Sequence, residues 1–291
     1  MYMTKHKKCV FDKVNRCQKK DSAGHLGTIR SVKKKYCAKR INTATDRGNH
    51  FYNRNCPTKT KRKTKTKLKT RTRTRKICRH TPKYNGLCSD GKITYMVLED
   101  LTRNKRNPWI MDIKIGHLSA SYTQLKGQKR NLSSLKKLKY LSKMGRHILL
   151  SYITTSNKYG FRAASLSGIK NSIFIPNRIN VGMTKPQKML SVYFKHDKNN
   201  YALSNIIKEL RKLNKFVHTK DFDEYSFIGS SILFVFDNTT HKRHNVSVNI
   251  IDFKRYRQSK KLSQNAKKYR NSFRIGVSNL LKEFIKYKMK T

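Results

Sequence analysis

The stretch Pro108-Trp-Ile-Met-Asp112-Ile-Lys114-Ile-Gly116 sets a carboxylate and an ammonium group inside an otherwise apolar run. It predicts a buried strand over Trp109–Ile115, opened by a proline whose missing N–H is tolerated there. Because alternate side chains of a strand point to one face, Asp112 and Lys114 should project together, and Gly116 should let another group approach closely. The two charges either pair with each other or divide their roles, the carboxylate accepting hydroxyl hydrogen bonds and the ammonium holding a phosphate.

A second buried carboxylate ends a later apolar run. The stretch Phe227–Phe236 contains Ser230-Ser231, and Val246–Phe253 ends in Ile-Ile-Asp252-Phe. The polar loop between the two stretches predicts a pair of adjacent strands. Asp252 lies where kinases place a metal-holding carboxylate, although Ile-Asp-Phe alone is short enough to occur by chance. For Asp112 and Asp252 alike, a structural ion pair with one of the many Lys or Arg residues is the alternative.

The chain beyond residue 93 alternates strand and helix patterns without an internal repeat. This succession is typical of an α+β or α/β core. The apolar periodicity predicts strands over Ile93–Leu98 and Phe161–Ser167 and helices over Leu132–Leu141, Tyr201–Val217 and Ser272–Lys288.

The composition is strongly basic. The 291 residues include 69 Lys plus Arg against 15 Asp plus Glu, which gives a formal net charge of +54. Such a charge predicts a polyanionic partner: nucleic acid, an anionic membrane surface or a highly phosphorylated small molecule. No apolar run is long enough for a membrane span, and the first residues have no apolar core of the kind that a secretory signal needs. We therefore expect a soluble, intracellular protein.

The charge peaks in the run Lys59–Lys76, which holds 11 basic residues, six threonines, one leucine and no acid. Like charges at this density repel each other and cannot bury a face, so we expect a solvated loop. A loop of this composition also fits a nuclear-localisation patch, a nucleic-acid contact or an arm that attracts anions.

All six cysteines lie between Cys9 and Cys88, and no two have the CxxC spacing. In the absence of a secretory signal we expect reduced thiols rather than disulfides. Cys78 and His80 lack a second ligand pair at metal spacing, so we expect no structural zinc.

The ordered motifs resemble the inositol polyphosphate kinase family. That family has the pattern PxxxDxKxG, then a Ser-Ser-Leu-Leu strand, then Ile-Asp-Phe; here the first pattern fits at all nine positions, Ser-Ser-Ile-Leu stands for the second, and the third is intact. The resemblance covers roughly residues 23 to 288. Further segments similar to family motifs are Gly24-His25, Tyr36–Lys39, His50–Tyr52, Thr81–Gly86, Val97–Leu101, Gly160–Arg162 and Ser167-Gly168.

The resemblance implies an α+β, two-lobed, kinase-like fold of the ATP-grasp type with a helical insert that binds inositol phosphate. The implied division is a basic N-terminal segment over 1–22, an N-lobe over 23–98 with an inserted basic loop over 57–80, and a C-lobe over 99–291 with substrate-binding helices over 117–150.

The resemblance also implies the reaction, transfer of the γ-phosphate of ATP to an inositol phosphate with Mg²⁺ as the metal. Phosphoryl transfer needs mainly positioning and charge neutralisation, so a small set of residues suffices. The implied catalytic residues are Lys114, Asp112 and Asp252, with Asp252 as the metal ligand. The implied ATP-binding residues are Lys39, Glu99, Asp100, Leu101, Asp112, Ser230, Ser231 and Asp252. The implied acceptor-binding residues are Lys114, Lys143, Arg146, His147 and Arg255.

The choice of acceptor rests on finer similarities. The stretch Leu98–Thr102 before the first motif is closer to the branch that phosphorylates inositol hexakisphosphate to a pyrophosphate, and a multikinase acting on tris- and tetrakisphosphates is the alternative. Two departures bear on this choice: Lys254-Arg255 replaces Ala-His after Ile-Asp-Phe, and Ala23 replaces the first glycine of Gly-Gly-His.

Two other classes compete with this interpretation. A nucleic-acid-binding protein would account for the charge but not for Asp112, Lys114 and Ile-Asp-Phe, and no RNP, zinc-finger or leucine-zipper pattern occurs. A protein kinase is excluded because HRDxxxxN and GxGxxG are missing. We therefore expect a monomeric enzyme with a small-molecule substrate, and nucleic acid as a secondary partner only.

Overall fold

The computed structural model describes residues 7–14, 17, 28–41, 47–57, 75–117, 145, 149, 153–167, 184–195, 197, 200–237 and 246–291. The chain divides into two compact units, an N-terminal unit, Met1–Asn104, and a C-terminal unit, Lys105–Thr291. The predicted helix over 132–141 and nearly all of the basic run over 59–76 lie outside the described residues. Of the predicted substrate helices, Gly145 and Leu149 are described, and both have a helical backbone.

The N-terminal unit is built on a five-stranded sheet with one helix. The sheet order is β1-β4-β5-β3-β2, with β1 parallel to β4 and the other neighbours antiparallel. The elements are β1 Lys7–Lys8, β2 Ile29–Val32, β3 Tyr36–Arg40, α1 Gly48–Asn55, β4 Tyr84–Ser89 and β5 Thr94–Glu99. The strand predicted over 93–98 is therefore confirmed as β5, shifted by one residue.

Three disulfides cross-link this unit, so the expectation of reduced thiols is wrong. The bonds join Cys9 to Cys88, Cys17 to Cys37 and Cys56 to Cys78. Their Cα–Cα distances of 5.0, 5.6 and 5.6 Å lie within the range that a disulfide spans. Spacing along the chain could not show this, because the pairing follows from the fold: Cys9 comes directly after β1, which runs beside the strand that carries Cys88.

The C-terminal unit contains an antiparallel four-stranded sheet with the order β10-β9-β6-β7. Its strands are β6 Pro108–Ile115, β7 Phe161–Ser167, β9 Ser231–Asp237 and β10 Val246–Ile251, and a separate small pair joins β8 Tyr225–Ser226 to β11 Arg257–Gln258. Its described helices are α2 Ser156–Tyr159, α3 Pro186–Tyr193, α4 Tyr201–Val217 and α5 Gln264–Lys288. The motif strand β6 is central, between β9 and β7.

Most of the predicted elements of this unit are confirmed. Strand β7 and helix α4 have the predicted bounds, and the buried apolar positions of α4 follow the helical period along its whole length. Helix α4 also has a strong start signal, since both carboxylate oxygens of Asp197 accept hydrogen bonds from the amides of Ala202 and Leu203, at 2.9 and 2.8 Å. Helix α5 begins eight residues before the predicted Ser272. Its first turns are too polar to show a period, and the signal is Ser263, whose Oγ accepts from the Ala266 amide.

Aromatic side chains fix the motif strand against α3. Tyr193 is fully buried, and its hydroxyl lies 3.1 Å from the carbonyl oxygen of Trp109 and 3.2 Å from that of Phe234, so one proton serves both strands. Burial raises the pKa of Tyr193 well above its ordinary value. The rings of Trp109 and Phe236 pack against the Tyr193 ring. None of the helices in the described residues is long and apolar enough to cross a membrane.

Candidate active site

An ion pair at the end of β6 forms the centre of the site. Nζ of Lys114 lies 2.9 Å from Oδ2 of Asp252 and donates a second hydrogen bond, 3.1 Å long, to the carbonyl oxygen of Gly229. The lysine therefore takes its ionic partner from a residue 138 positions further along the chain. The side chains of Lys114 and Asp252 are 22% and 31% exposed, so a ligand can reach both.

The backbone around Asp252 is unusual. Asp252 has φ 66° and ψ 61°, in the left-handed region that residues other than glycine rarely adopt. Strained residues of this kind cluster at functional sites. Ser230 donates a 3.0 Å hydrogen bond from Oγ to the Asp252 carbonyl oxygen. The turn before β9 thus holds Lys114 through the Gly229 carbonyl and Asp252 through the Ser230 hydroxyl.

The two predicted phosphate-lining serines are both buried. Ser230 is 1% exposed and Ser231 is fully buried, and Ser231 lies opposite Lys114 in the pairing of β9 with β6. The hydroxyl of Ser230 is used in the hydrogen bond to the Asp252 carbonyl oxygen. The predicted role of the pair in lining the nucleotide phosphates stays a prediction.

Asp112 lies deeper than Lys114. Residues 108–114 pair with β9 without interruption, which places Asp112 and Lys114 on one face of the sheet, as predicted. Asp112 is 7% exposed, and its charge acts on the equally buried Arg162 of β7. Burial lowers the pKa of the Arg162 guanidinium, and the carboxylate of Asp112 opposes that effect. The two opposite charges lie buried in the sheet, and Lys114, whose side chain is 22% exposed, is the more accessible group.

The residues of the N-terminal unit that are predicted to bind nucleotide lie on β3 and at the end of β5. Lys39 lies on β3, half-buried, opposite Met96 of β5. The chain leaves β5 at Glu99, whose carboxylate accepts a 3.3 Å hydrogen bond from the Lys83 amide. The Lys83 ammonium lies 3.9 Å from the same carboxylate.

The next residues form a tight turn. Oδ1 of Asp100 accepts hydrogen bonds from the Thr102 amide at 2.9 Å and from the Thr102 hydroxyl at 2.6 Å. The Asp100 amide donates to the carbonyl oxygen of Lys35 at 3.2 Å. The backbone that includes Leu101 is therefore held by its own side chains, which suits a segment expected to present backbone groups to adenine.

Three of the predicted acceptor-binding residues, Lys143, Arg146 and His147, lie outside the described residues. Another predicted acceptor-binding residue, Arg255, ends a short 3₁₀-helix, Phe253–Arg255, that follows Asp252 directly. Lys254 of this helix is exposed and Arg255 is half-buried. Two cations therefore lie two and three residues after the candidate metal ligand, Asp252.

One important carboxylate was missed by sequence reasoning. Asp237 is 4% exposed, and its two oxygens accept hydrogen bonds from the amides of Arg106 and Asn107, at 2.9 and 3.1 Å. These contacts fix the start of β6. The available signal was its position at the end of an apolar strand, which is the same signal that identified Asp252.

The arrangement suits phosphoryl transfer. A reachable carboxylate next to a reachable ammonium supplies one group for a hard divalent cation and one for a phosphate oxygen. Both groups are held by the backbone and by a serine, so little reorganisation is required when charge develops on a transferred phosphoryl group.

Comparisons with known proteins agree with this geometry. A family model described as inositol polyphosphate kinase matches residues 95–285, which is more than half of the chain. No curated protein matches the chain.

Two solved structures share the fold. The crystal structure of the inositol phosphate multikinase Ipk2 from S. cerevisiae, in complex with ADP and Mn²⁺, is similar with a TM-score of 0.56 and 20% sequence identity, over 73% of this chain and 90% of that one. A second inositol phosphate multikinase structure has a TM-score of 0.52 and 18% identity, over 72% of this chain and 90% of that one. The predicted α+β, kinase-like fold is thereby confirmed. By the family match, the chain belongs to the inositol polyphosphate kinase family and is an inositol phosphate kinase.

Proposed function

We propose that this kinase uses ATP and Mg²⁺ to phosphorylate inositol hexakisphosphate, giving an inositol pyrophosphate. The observation that carries the proposal is the pair formed by Lys114 and Asp252, 2.9 Å apart, at an accessible end of the sheet. Asp252 would hold the metal ion, and Lys114 would contact the acceptor phosphate near the transferred group.

The residues present fit a divalent metal. Mg²⁺ is commonly bound through one or two carboxylates together with substrate phosphates and water. Asp252 offers a carboxylate that is 31% exposed, on a backbone held by Ser230. The bound metal would neutralise charge on the ATP phosphates. The similar multikinase structure with ADP and Mn²⁺ supports nucleotide and metal use.

The remaining nucleotide contacts follow from the family resemblance. Lys39 would bind ATP phosphates, Glu99–Leu101 would face adenine, Asp112 would meet the ribose, and Ser230-Ser231 would line the phosphates. In the structure, side-chain hydrogen bonds hold the Glu99–Leu101 turn, and this supports a role for its backbone.

Charge supports the most highly phosphorylated acceptor. Inositol hexakisphosphate carries roughly nine to twelve negative charges, at about 1.5 to 2 per phosphate. The chain has a net charge of +54 and places Lys254 and Arg255 two and three residues after Asp252. The alternatives are a multikinase acting on tris- and tetrakisphosphates and, in a different class, a nucleic-acid-binding protein.

The decisive experiment is product identification after incubation with Mg·ATP and a panel of inositol tris-, tetrakis-, pentakis- and hexakisphosphates. We expect the highest kcat/KM with the hexakisphosphate and a pyrophosphate product. Preference for the tris- or tetrakisphosphate would establish the multikinase alternative. Tight binding of a random oligonucleotide, without turnover of any inositol phosphate, would refute the kinase assignment.

Asp252→Asn tests the metal assignment. It should lower turnover by far more than tenfold, because it removes the charge that holds the metal. The matched control is Asp223→Asn, since Asp223 is also half-exposed and paired with cations, Arg270 and Arg274 of α5. Mg²⁺-dependent turnover of Asp252→Asn within about tenfold of wild type, roughly 1.4 kcal/mol, would contradict the assignment.

A further inference from the structure

One face of α5 contacts both ends of the segment between β6 and β7, residues 116–160. Ser272, Gly276 and Asn279 are four and then three residues apart, so they lie on the same side of the helix. Oγ of Ser272 accepts a 2.8 Å hydrogen bond from the His117 amide. Nδ2 of Asn279 donates a 3.1 Å hydrogen bond to the carbonyl oxygen of Tyr159.

Between these two polar contacts, Gly276 lies directly against the backbone of Gly116 and Gly160. A Cβ atom added to Gly276 would lie 2.8 Å from Cγ2 of Ile115 and 3.3 Å from the Gly116 amide nitrogen, and it would overlap the carbonyl oxygen of Gly160. That carbonyl oxygen accepts a 2.7 Å hydrogen bond from the Gly116 amide. Gly276 therefore permits an approach that no other residue allows, at the point where the two ends of the segment meet.

The two ends of this segment lie close in sequence to residues of the sheet that carry the candidate site. Gly116 and His117 come two and three residues after Lys114, and Tyr159 and Gly160 directly precede β7, which carries Arg162. The α5 contacts therefore act together on the end of the motif strand and on the residues directly before β7.

We propose that Ser272, Gly276 and Asn279 are positioning residues for the acceptor site. This inference rests on the proposed function, since it takes Lys114 to bind the inositol phosphate. The face sets where Gly116 and Gly160 lie relative to Lys114, and the residues that it contacts include none of those assigned to ATP. Loss of a contact should therefore weaken acceptor binding selectively.

The mildest test is Ser272→Ala, because it removes one hydrogen bond and no packing volume. We expect a two- to tenfold rise in acceptor KM, as for loss of one neutral hydrogen bond, with an unchanged KM for ATP. Asn279→Ala should behave in the same way, and Ser272→Thr should restore the acceptor KM because it keeps the hydroxyl. Gly276→Ala should be more severe, with more than a tenfold loss of acceptor kcat/KM.

The matched control is Ser278→Ala on another side of the same helix. Ser278 hydrogen-bonds with Nε2 of His218 at 3.0 Å and with Oδ1 of Asn214 at 2.8 Å, and it contacts neither end of the segment. Its loss should lower the melting temperature about as much as Ser272→Ala while both KM values stay unchanged.

Hydrogen exchange provides a readout that does not depend on activity. The amides of His117 and Gly116 should exchange faster in Ser272→Ala and Gly276→Ala than in wild type or Ser278→Ala. If wild type phosphorylates inositol phosphates and Ser272→Ala leaves the acceptor KM unchanged, the positioning role is refuted and the proposed function stands. If acceptor and ATP KM rise together, the face is merely structural, which also refutes the role. Inactivity of wild type on the whole panel would refute the proposed function, whatever the exchange data show.

Discussion

Reduction of the three disulfides should unfold the N-terminal unit. In one cluster of its core, the buried residues Val32, Ala38, Tyr95 and Val97 pack with the linked Cys9 and Cys88, and Phe51, Tyr52 and Ile77 are buried outside this cluster. The three cross-links add to the stability of this core because they limit the conformational freedom of the unfolded chain.

The size of the effect follows from the loop lengths. The bonds Cys17–Cys37 and Cys56–Cys78 span 20 and 22 residues, and each should stabilise the unit by about 3 kcal/mol. Cys9–Cys88 spans 79 residues but encloses the other two loops, so its contribution is about 4 kcal/mol rather than the value of an unbranched loop. The total of about 10 kcal/mol is as large as the whole free energy of unfolding of a typical domain.

The chain allows the two units to be followed separately. All six cysteines lie in the N-terminal unit, and the single tryptophan, Trp109, is buried in the C-terminal unit. Treatment with a phosphine reductant should expose six alkylatable thiols, lower the β-sheet signal in circular dichroism and concentrate protease cleavage before residue 105. The Trp109 fluorescence should stay as in the oxidised protein. The reasoning is refuted if the protein purified without reductant already has six reactive thiols, or if reduction shifts the melting temperature by less than about 2 °C.

Three further predictions concern charged side chains. Lys114→Ala should lower acceptor kcat/KM about ten- to hundredfold, or 1.5 to 3 kcal/mol, and lower kcat as well, whereas Lys212→Ala on the exposed face of α4 should change neither in initial-rate kinetics. Lys143→Ala should mainly raise the acceptor KM, and an unchanged KM would mean that this lysine is merely solvated. Replacement of residues 58–74 by a short Gly-Ser linker should preserve folding and turnover, because the disulfide between Cys56 and Cys78 keeps their Cα atoms 5.6 Å apart. The replacement should weaken acceptor binding only at low salt. Loss of turnover at all salt concentrations would contradict the loop interpretation.

Local pattern was sufficient for the elements that carry the site. The apolar run around Asp112 and Lys114 predicted β6 to within one residue, and the helical period predicted α4 exactly as observed. Both elements bury a continuous apolar face, so their sequence and their packing impose the same period. Helix α5 shows the limit, because its first turns bury little and have no apolar period to detect.

Contacts between distant residues could not be predicted in this way. The partner of Lys114 is 138 residues away, and the disulfide partners lie on neighbouring strands or loops that only the folded sheet brings together. A carboxylate at the end of a strand was recognised as special at Asp252 but not at Asp237, although the sequence context of the two is alike. Only the contacts in the folded chain show that Asp237 binds backbone amides whereas Asp252 faces a cation.

The difference between Asp237 and Asp252 can be tested by substituting each of them. Asp237 uses both oxygens to hold backbone amides and is 4% exposed, whereas Asp252 points its carboxylate at an ammonium group, is 31% exposed and has a strained backbone. Asp237→Asn should therefore cost about 1 to 3 kcal/mol of unfolding free energy, since one oxygen becomes a donor facing an N–H group, with both KM values unchanged. Asp252→Asn should show the opposite result, with a small change in unfolding free energy and lost turnover. Urea unfolding and initial rates measured on both variants decide the matter: equal losses of stability and equal losses of rate would mean that Asp252, like Asp237, only holds the fold.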